Sequence, residues 1–337
     1  MIARKLKDHL GIVKHMLGAY VGTDPNRIGL VTNATSGVGS VLRSIAWKKG
    51  DRIVLTNHGY NAVRQAVQFC CERFGCETVI VDIPLPLEDH QIILQRFLQA
   101  IDKKTRLVIV DHITSPTAVI LPVAEIARAC RNQGVLCLVD GAHAPGMIDL
   151  KIDEIGADWY TGNLHKWVCA PRGSAFLVAS SETEPWTHPE TTSHLHGYGF
   201  AEEFDWQGTR DFAPWLTIPT AIEFVRSGFP GGICEHNHQL ATWAQKKLCE
   251  DFSTASISPL DGSMIGSMAT IPLPSAISTR FSSVAHFQAA LYEKHKIEVP
   301  IIDWGGGWYA RISAQAYNCP EDYFALSAAV CSEACAV

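Results

Sequence analysis

The segment from Val135 to Val168, VLCLVDGAHAPGMIDLKIDEIGADWYTGNLHKWV, holds the residue types and spacings best suited to chemistry. It opens on a continuous apolar run, Val135 to Val139, short enough for a buried strand. That run ends in Asp140, followed at once by Gly-Ala-His143. A second short strand, 158–161, then delivers a polar turn and the pair His165-Lys166. An acid ending one buried strand and a lysine just past the next can meet at one edge of a sheet, where open α/β sheets bind ligands. A carboxylate and a lysine beside an anionic ligand are what pyridoxal phosphate requires: the lysine forms a Schiff base and the acid keeps the pyridine nitrogen protonated. An ordinary buried ion pair would use the same two residue types. The density of Gly141, His143, Pro145, Gly162, Asn163, His165 and Trp167 around these strand ends favours a site.

The elements that must position these residues alternate regularly. Strands are predicted at 28–32, 52–55, 77–81, 107–110, 135–139, 158–161 and 173–179, with helices over 5–19, from after Gly39 through Ala46, and over 60–74, 89–101 and 122–132. Strands separated by helices at this interval imply crossover connections and a mostly parallel sheet. Three strand ends are polar: Thr56-Asn-His58-Gly-Tyr60, Asp111-His-Ile-Thr-Ser115 and Asp140-Gly-Ala-His143. Together they suggest one pocket. The turn Asn33-Ala34-Thr35-Ser36-Gly37 at a helix start can hold a phosphate on free N–H groups, or serve as an ordinary N-cap. It lacks the lysine of a Walker loop and the glycine spacing of a dinucleotide fingerprint. A boundary at Pro214 divides a large domain, 1–213, from a smaller α+β domain, 214–337, with helices at 215–227, 233–251, 282–295 and 321–332 and strands at 255–258, 267–271, 298–302 and 308–312.

Composition narrows the class. Of 337 residues, 47% are hydrophobic and 18% charged, which suits a globular chain of one large and one small domain. The formal charge of −6 is spread over interspersed acids and bases, which argues against nucleic-acid or anionic-membrane partners. No run of ~18 apolar residues predicts a transmembrane helix. The first twenty residues are amphipathic and charged, with no cleavage signature. The eleven cysteines form no regular framework and read as reduced thiols, so a cytoplasmic location is expected. No metal is expected: Cys331 and Cys335 lack a second ligand pair, and His194 and His196 lack a third ligand at helical or strand spacing.

Five motifs in order, NATSG (33–37), VDGAHAPG (139–146), GNLHKW (162–167), WQGTRD (206–211) and RISAQAYN (311–318), resemble the class V aminotransferase-type, pyridoxal-phosphate-dependent enzymes. Within that family the resemblance is to the isopenicillin N epimerase-like branch, related to cysteine desulfurases and C–S lyases, and it covers about residues 28–318. It implies the fold-type I α/β architecture, with a mostly parallel seven-stranded-type sheet, and a homodimer with active sites at the dimer interface. The implied substrate is an amino acid or a derivative, attacked at Cα by epimerase, C–S lyase or aminotransferase chemistry. Carried over residue by residue, Lys166 would bear the cofactor and shuttle a proton, and Asp140 would bond the pyridine nitrogen. His143 would sit by the ring or its oxygen, with Tyr60, or else His58, stacked on its face. Ala34, Thr35 and His165 would hold the phosphate, with Thr161 or Asn163 nearby and Thr209 reaching in from the other subunit. Arg311 would clamp the substrate α-carboxylate and Arg210 a second carboxylate.

Two departures shape expectation. Family members usually begin with several dozen more residues, including an Asn/Gly-rich segment over the substrate, so a short start or an inactive scaffold is an alternative reading. The desulfurase nucleophile would be a cysteine ahead of the carboxylate-binding arginine. No cysteine lies between Cys249 and Cys319, which disfavours persulfide chemistry.

Overall fold

The computed structural model describes residues 2–227 and 232–335, which fall into two compact units. The first takes residues 2–83, 90–113 and 121–227; the second takes 84–89, 114–120 and 232–335.

The first unit is built on a seven-stranded sheet. Its strands are β1 (Ile28–Val31), β2 (Arg52–Thr56), β3 (Glu77–Val81), β4 (Thr105–Asp111), β5 (Leu136–Asp140), β6 (Trp159–Asn163) and β7 (Ala175–Ala179), in the order β1-β7-β6-β5-β4-β2-β3. Strands β3, β2, β4, β5 and β6 run parallel, and β7 is antiparallel to both β6 and β1. The helices of this unit are α1 (Ile2–Val21), α2 (Ala34–Ser44), α3 (Asn61–Phe74), α4 (His90–Ala100), α5 (Val123–Asn132), α6 (Ile152–Ile155), α7 (Phe200–Asp205), α8 (Ala213–Leu216) and α9 (Ile218–Arg226). Every residue of β6 and β7 is buried, as two covered faces require; β7 is wholly apolar, and the polar Thr161 and Asn163 of β6 are hydrogen-bonded. In α1, Leu6, Leu10, Val13, Leu17 and Val21 are buried at three- and four-residue intervals, the stripe of a helix packed on one side.

The sequence reading placed α8 and α9 in the smaller domain, starting at Pro214. They belong to the first unit instead. The proline opens α8 rather than ending a domain. Trp215 is buried, with its indole N–H donating to the carbonyls of Val31 and Gly173, and α9 packs on α1.

The second unit has an antiparallel sheet, β8-β10-β9, of β8 (Met268–Pro272), β9 (Ile301–Trp304) and β10 (Gly307–Ser313). Helices α10 (Gly232–Phe252), α11 (Ser275–Arg280), α12 (Val284–His295) and α13 (Pro320–Cys335) accompany it. Leu248, Ile271, Phe287, Leu291, Ile312 and Val330 lie in its core. The strand expected at 255–258 is absent. Ser256 Oγ bonds the Ser258 carbonyl, and Gln245 Nε2 bonds both serine hydroxyls, so local side-chain bonds replace a strand ladder.

One contact sets the height of α2 over the sheet. A Cβ on Gly37 would lie 2.3 Å from Thr161 Oγ1 and 2.9 Å from Thr161 Cβ, so only glycine lets the helix start press onto β6. Gly37→Ala should therefore destabilise the first unit by about 1–3 kcal/mol. A urea unfolding midpoint equal to that of the unsubstituted protein would refute this close-packing role.

Candidate active site

Parallel strands put their carboxyl ends on one edge, and β2, β4, β5 and β6 deliver the polar ends picked out in the sequence there. Asp111 of β4, Asp140 of β5 and Thr161 of β6 stand in register across three neighbouring strands. Both carboxyls are buried. Asp140 Oδ1 accepts the Ala142 N–H at 3.0 Å, and no hydrogen bond to its second oxygen is present among the described residues. Burial raises the pKa of both acids, and Asp140 raises that of Asp111 further. Two carboxyls on adjacent buried strands cannot both ionise cheaply. Burial and the neighbouring Asp140 favour the protonated form of Asp111 against the pull of the Tyr60 N–H and Lys166, while the Ala142 N–H and Lys166 oppose the effect of burial on Asp140.

Lys166 reaches this edge from the loop after β6, where its Nζ lies 3.0 Å from His143 Nε2. The Trp167 indole N–H points at His143 Nδ1 at 3.4 Å. The ring thus stands between two donors, the lysine at Nε2 and the indole at Nδ1, and a neutral imidazole accepts from one of them. The 141–146 turn can approach this loop because Gly146, at φ +85°, would place a Cβ only 2.7 Å from the Trp167 carbonyl. Behind the site, His112 Nδ1 meets the Tyr160 hydroxyl at 2.9 Å, and burial lowers the His112 pKa to about 4. Sequence reasoning flagged the 111–115 strand end as polar but assigned Asp111 and His112 no role. Tyr160 was missed, since a tyrosine inside an apolar strand carries no local signal.

The start of α2 faces the same edge. Asn33 caps it by accepting the Ser36 N–H, and Asn163 Oδ1 accepts the Ala34 N–H, both at 2.8 Å. Ala34 is therefore occupied, while the N–H and hydroxyl of Thr35 have no hydrogen bond among the described residues. Thr161 donates its hydroxyl to the Phe176 carbonyl beneath Gly37, which makes it scaffold. His165 is half-buried with Nδ1 on the Ser174 carbonyl, and burial lowers its pKa.

The remaining candidates sort differently. His58 is fully buried, with Nε2 2.9 Å from the Ile83 carbonyl, whereas Tyr60 is 44% exposed. The WQGTRD segment is tied down within the first unit. Gln207 donates to the Leu30 and Phe204 carbonyls, and the Arg210 guanidinium stacks 4.3 Å from the Trp215 ring centroid. Buried Arg210 Nε has no hydrogen-bond partner among the described residues, and Thr209 is exposed. Arg311, on β10 of the second unit, bonds the carbonyl and hydroxyl of Ser115 in the same unit.

The carboxyl pair generates a pH prediction. Asp111 has a raised folded-state pKa, so its protonated form stabilises the fold below the usual carboxylate range, and that contribution is lost as pH rises. Asp111→Asn keeps an acceptor for the Tyr60 N–H but removes the ionisable group. Urea midpoints at pH 5 and pH 8 should show the substituted apoprotein gaining on the unsubstituted apoprotein as pH rises. A constant difference would mean Asp111 does not hold the proton.

The class V aminotransferase family profile matches residues 11–287. The chain is 33% identical to the probable chloroplastic L-cysteine desulfhydrase of Arabidopsis thaliana, over 97% of this chain and 74% of that protein. It is 29% identical to the isopenicillin N epimerase of Streptomyces clavuligerus, over 98% of this chain and 85% of that one. Its fold matches the cystine C–S lyase C-DES, solved with cysteine persulfide, at a TM-score of 0.79 and 22% identity, covering 99% and 88% of the two chains. The cysteine desulfurase of Thermococcus onnurineus shares the fold at a TM-score of 0.79 and 18% identity, over 97% and 84%. The buried acid and the lysine at one sheet edge thus stand in a fold-type I framework, and the chain belongs to the class V aminotransferase family of pyridoxal-phosphate-dependent enzymes.

Proposed function

We propose that this enzyme cleaves the C–S bond of L-cysteine or a close sulfur amino acid, releasing sulfide, pyruvate and ammonia with uptake of one water. The observation that carries the reading is the Lys166–His143 pair beside buried Asp140, a donor set that fits pyridoxal phosphate. Asp140 offers a carboxylate oxygen for the pyridine nitrogen, and the Thr35 N–H and hydroxyl at the α2 start suit the phosphate. The residues identical to a cysteine desulfhydrase support sulfur chemistry. The cysteine-free stretch before Arg311 supports direct elimination over persulfide transfer.

Bound there, pyridoxal phosphate supplies an electron sink for the pair left at Cα. The protein does the rest. Lys166 anchors the cofactor, takes the α-proton and returns a proton to the departing sulfur. His143 positions the lysine amine, and ionised Asp140 holds the ring nitrogen protonated. Tyr60, exposed and with its N–H held by Asp111, covers the ring face; His58 is committed to the Ile83 carbonyl. His165 closes the phosphate end, with Asn163 supporting Ala34. Arg311 clamps the α-carboxylate through its planar fork, and Arg210 meets a second carboxylate on substrates that have one. The enzyme works as a homodimer in which exposed Thr209 serves the partner's phosphate, and its free cysteines suit a reducing compartment such as the cytoplasm.

With L-cysteine, sulfide and pyruvate should appear in equal amounts. Lys166→Ala should abolish both, and Asp140→Asn should cut turnover roughly 10- to 100-fold, the equivalent of about 1.5–3 kcal/mol for one charge-assisted bond. Exchange of α-protons in deuterated water with racemisation and without sulfide would replace C–S lysis by epimerisation. No exchange with any amino acid would leave a scaffold.

Shared sites predict complementation. Mixed dimers of a Lys166→Ala chain and a Thr209→Ala chain should regain activity through one repaired site per dimer. Confirmed mixed dimers that stay inactive would contradict a shared phosphate site.

A further inference from the structure

Outside the active site, three side chains on the 187–205 stretch converge on one point. Glu203 of α7 is buried, with 4% of its side chain exposed. Its Oε1 accepts the Gly197 N–H at 2.9 Å, which fixes the carboxylate plane. Its Oε2 meets His188 Nδ1 at 2.9 Å and His196 Nδ1 at 3.3 Å. The two imidazole centroids are 5.2 Å apart, and one ligand atom from each of the three residues falls within 4.8 Å of the others. His188 is itself anchored, its N–H and carbonyl both bonding the Ser44 hydroxyl.

We propose that His188, His196 and Glu203 bind a divalent cation of the zinc class. Tetrahedral zinc with bonds of about 2.0–2.1 Å keeps its ligand atoms about 3.3 Å apart. The two Glu203–histidine separations already stand near that edge length, so a modest turn of the His196 ring completes the triangle. Nitrogen, nitrogen and carboxylate oxygen are ligands zinc favours, and the Gly197 N–H is the outer contact that orients a ligating carboxylate. A metal bound through Nδ1 leaves Nε2 of each imidazole to carry the ring proton. The half-exposed histidines leave the fourth position to water. The sequence paired His196 with His194 and found no third ligand; the fold supplies His188 and Glu203.

The test uses the purified holoenzyme, dialysed against chelator, incubated with zinc chloride and desalted. Zinc per chain by plasma mass spectrometry should be at least one, and His188→Asn or His196→Asn should each remove one zinc while leaving cofactor absorbance unchanged. Crystals of the unsubstituted protein soaked in zinc should give an anomalous peak between the three residues, a readout that needs no variant. A protein that retains no zinc, equal zinc in the variants, or an anomalous map with zinc only on cysteines would each overturn the proposal.

Discussion

The first unit depends on keeping one negative charge buried at the end of β5. Removing a carboxylate from water costs several kcal/mol unless dipoles and opposite charge replace the solvent. Asp140 receives the Ala142 N–H and the field of Lys166, and its register neighbour Asp111 avoids adding a second charge by keeping its proton. Adjacent strands stand ~4.8 Å apart, so the two acids sense each other strongly.

The scaffold around that charge works by close approach more than by bulk. Gly37 lets α2 press on Thr161, Asn163 ties the Ala34 N–H, and Gly146 lets the His143 turn reach the Trp167 loop. The result holds Lys166 against His143. Farther out, Trp215 satisfies the Val31 and Gly173 carbonyls and carries Arg210 on its face, so the WQGTRD segment is tethered at both Gln207 and Arg210 while Thr209 stays exposed. In the second unit, the Arg311 guanidinium is held by the carbonyl and hydroxyl of Ser115.

Much of this was legible. Buried strands announce themselves as short apolar runs, as at β5 and β7, and β3, though mostly exposed, was read to its full bounds from its β-branched residues. The motif residues also lay at strand ends, where local pattern and chemistry coincide. The run at 255–258 failed as a strand because serine hydroxyls bonded nearby backbone, a competition that β-propensity does not weigh. Pro214 failed as a boundary because a proline at a helix start and a proline in a linker look alike without the packing of Trp215.

The sequence by itself determined the family and cofactor class, through five short motifs in order along the chain, and the acid and lysine at successive strand ends, through residue type and local spacing. Tertiary structure decided which neighbours those residues answer to. It set Asp111 beside Asp140, put Tyr160 on His112, and gave His58 to the Ile83 carbonyl while leaving Tyr60 exposed. It also drew His188 and His196 onto Glu203. Each of these turns on strand order or helix placement, which bring together residues whose separation along the chain follows no local period. A buried group's charge state depends on all such neighbours at once, so it could be read only after the chain had folded.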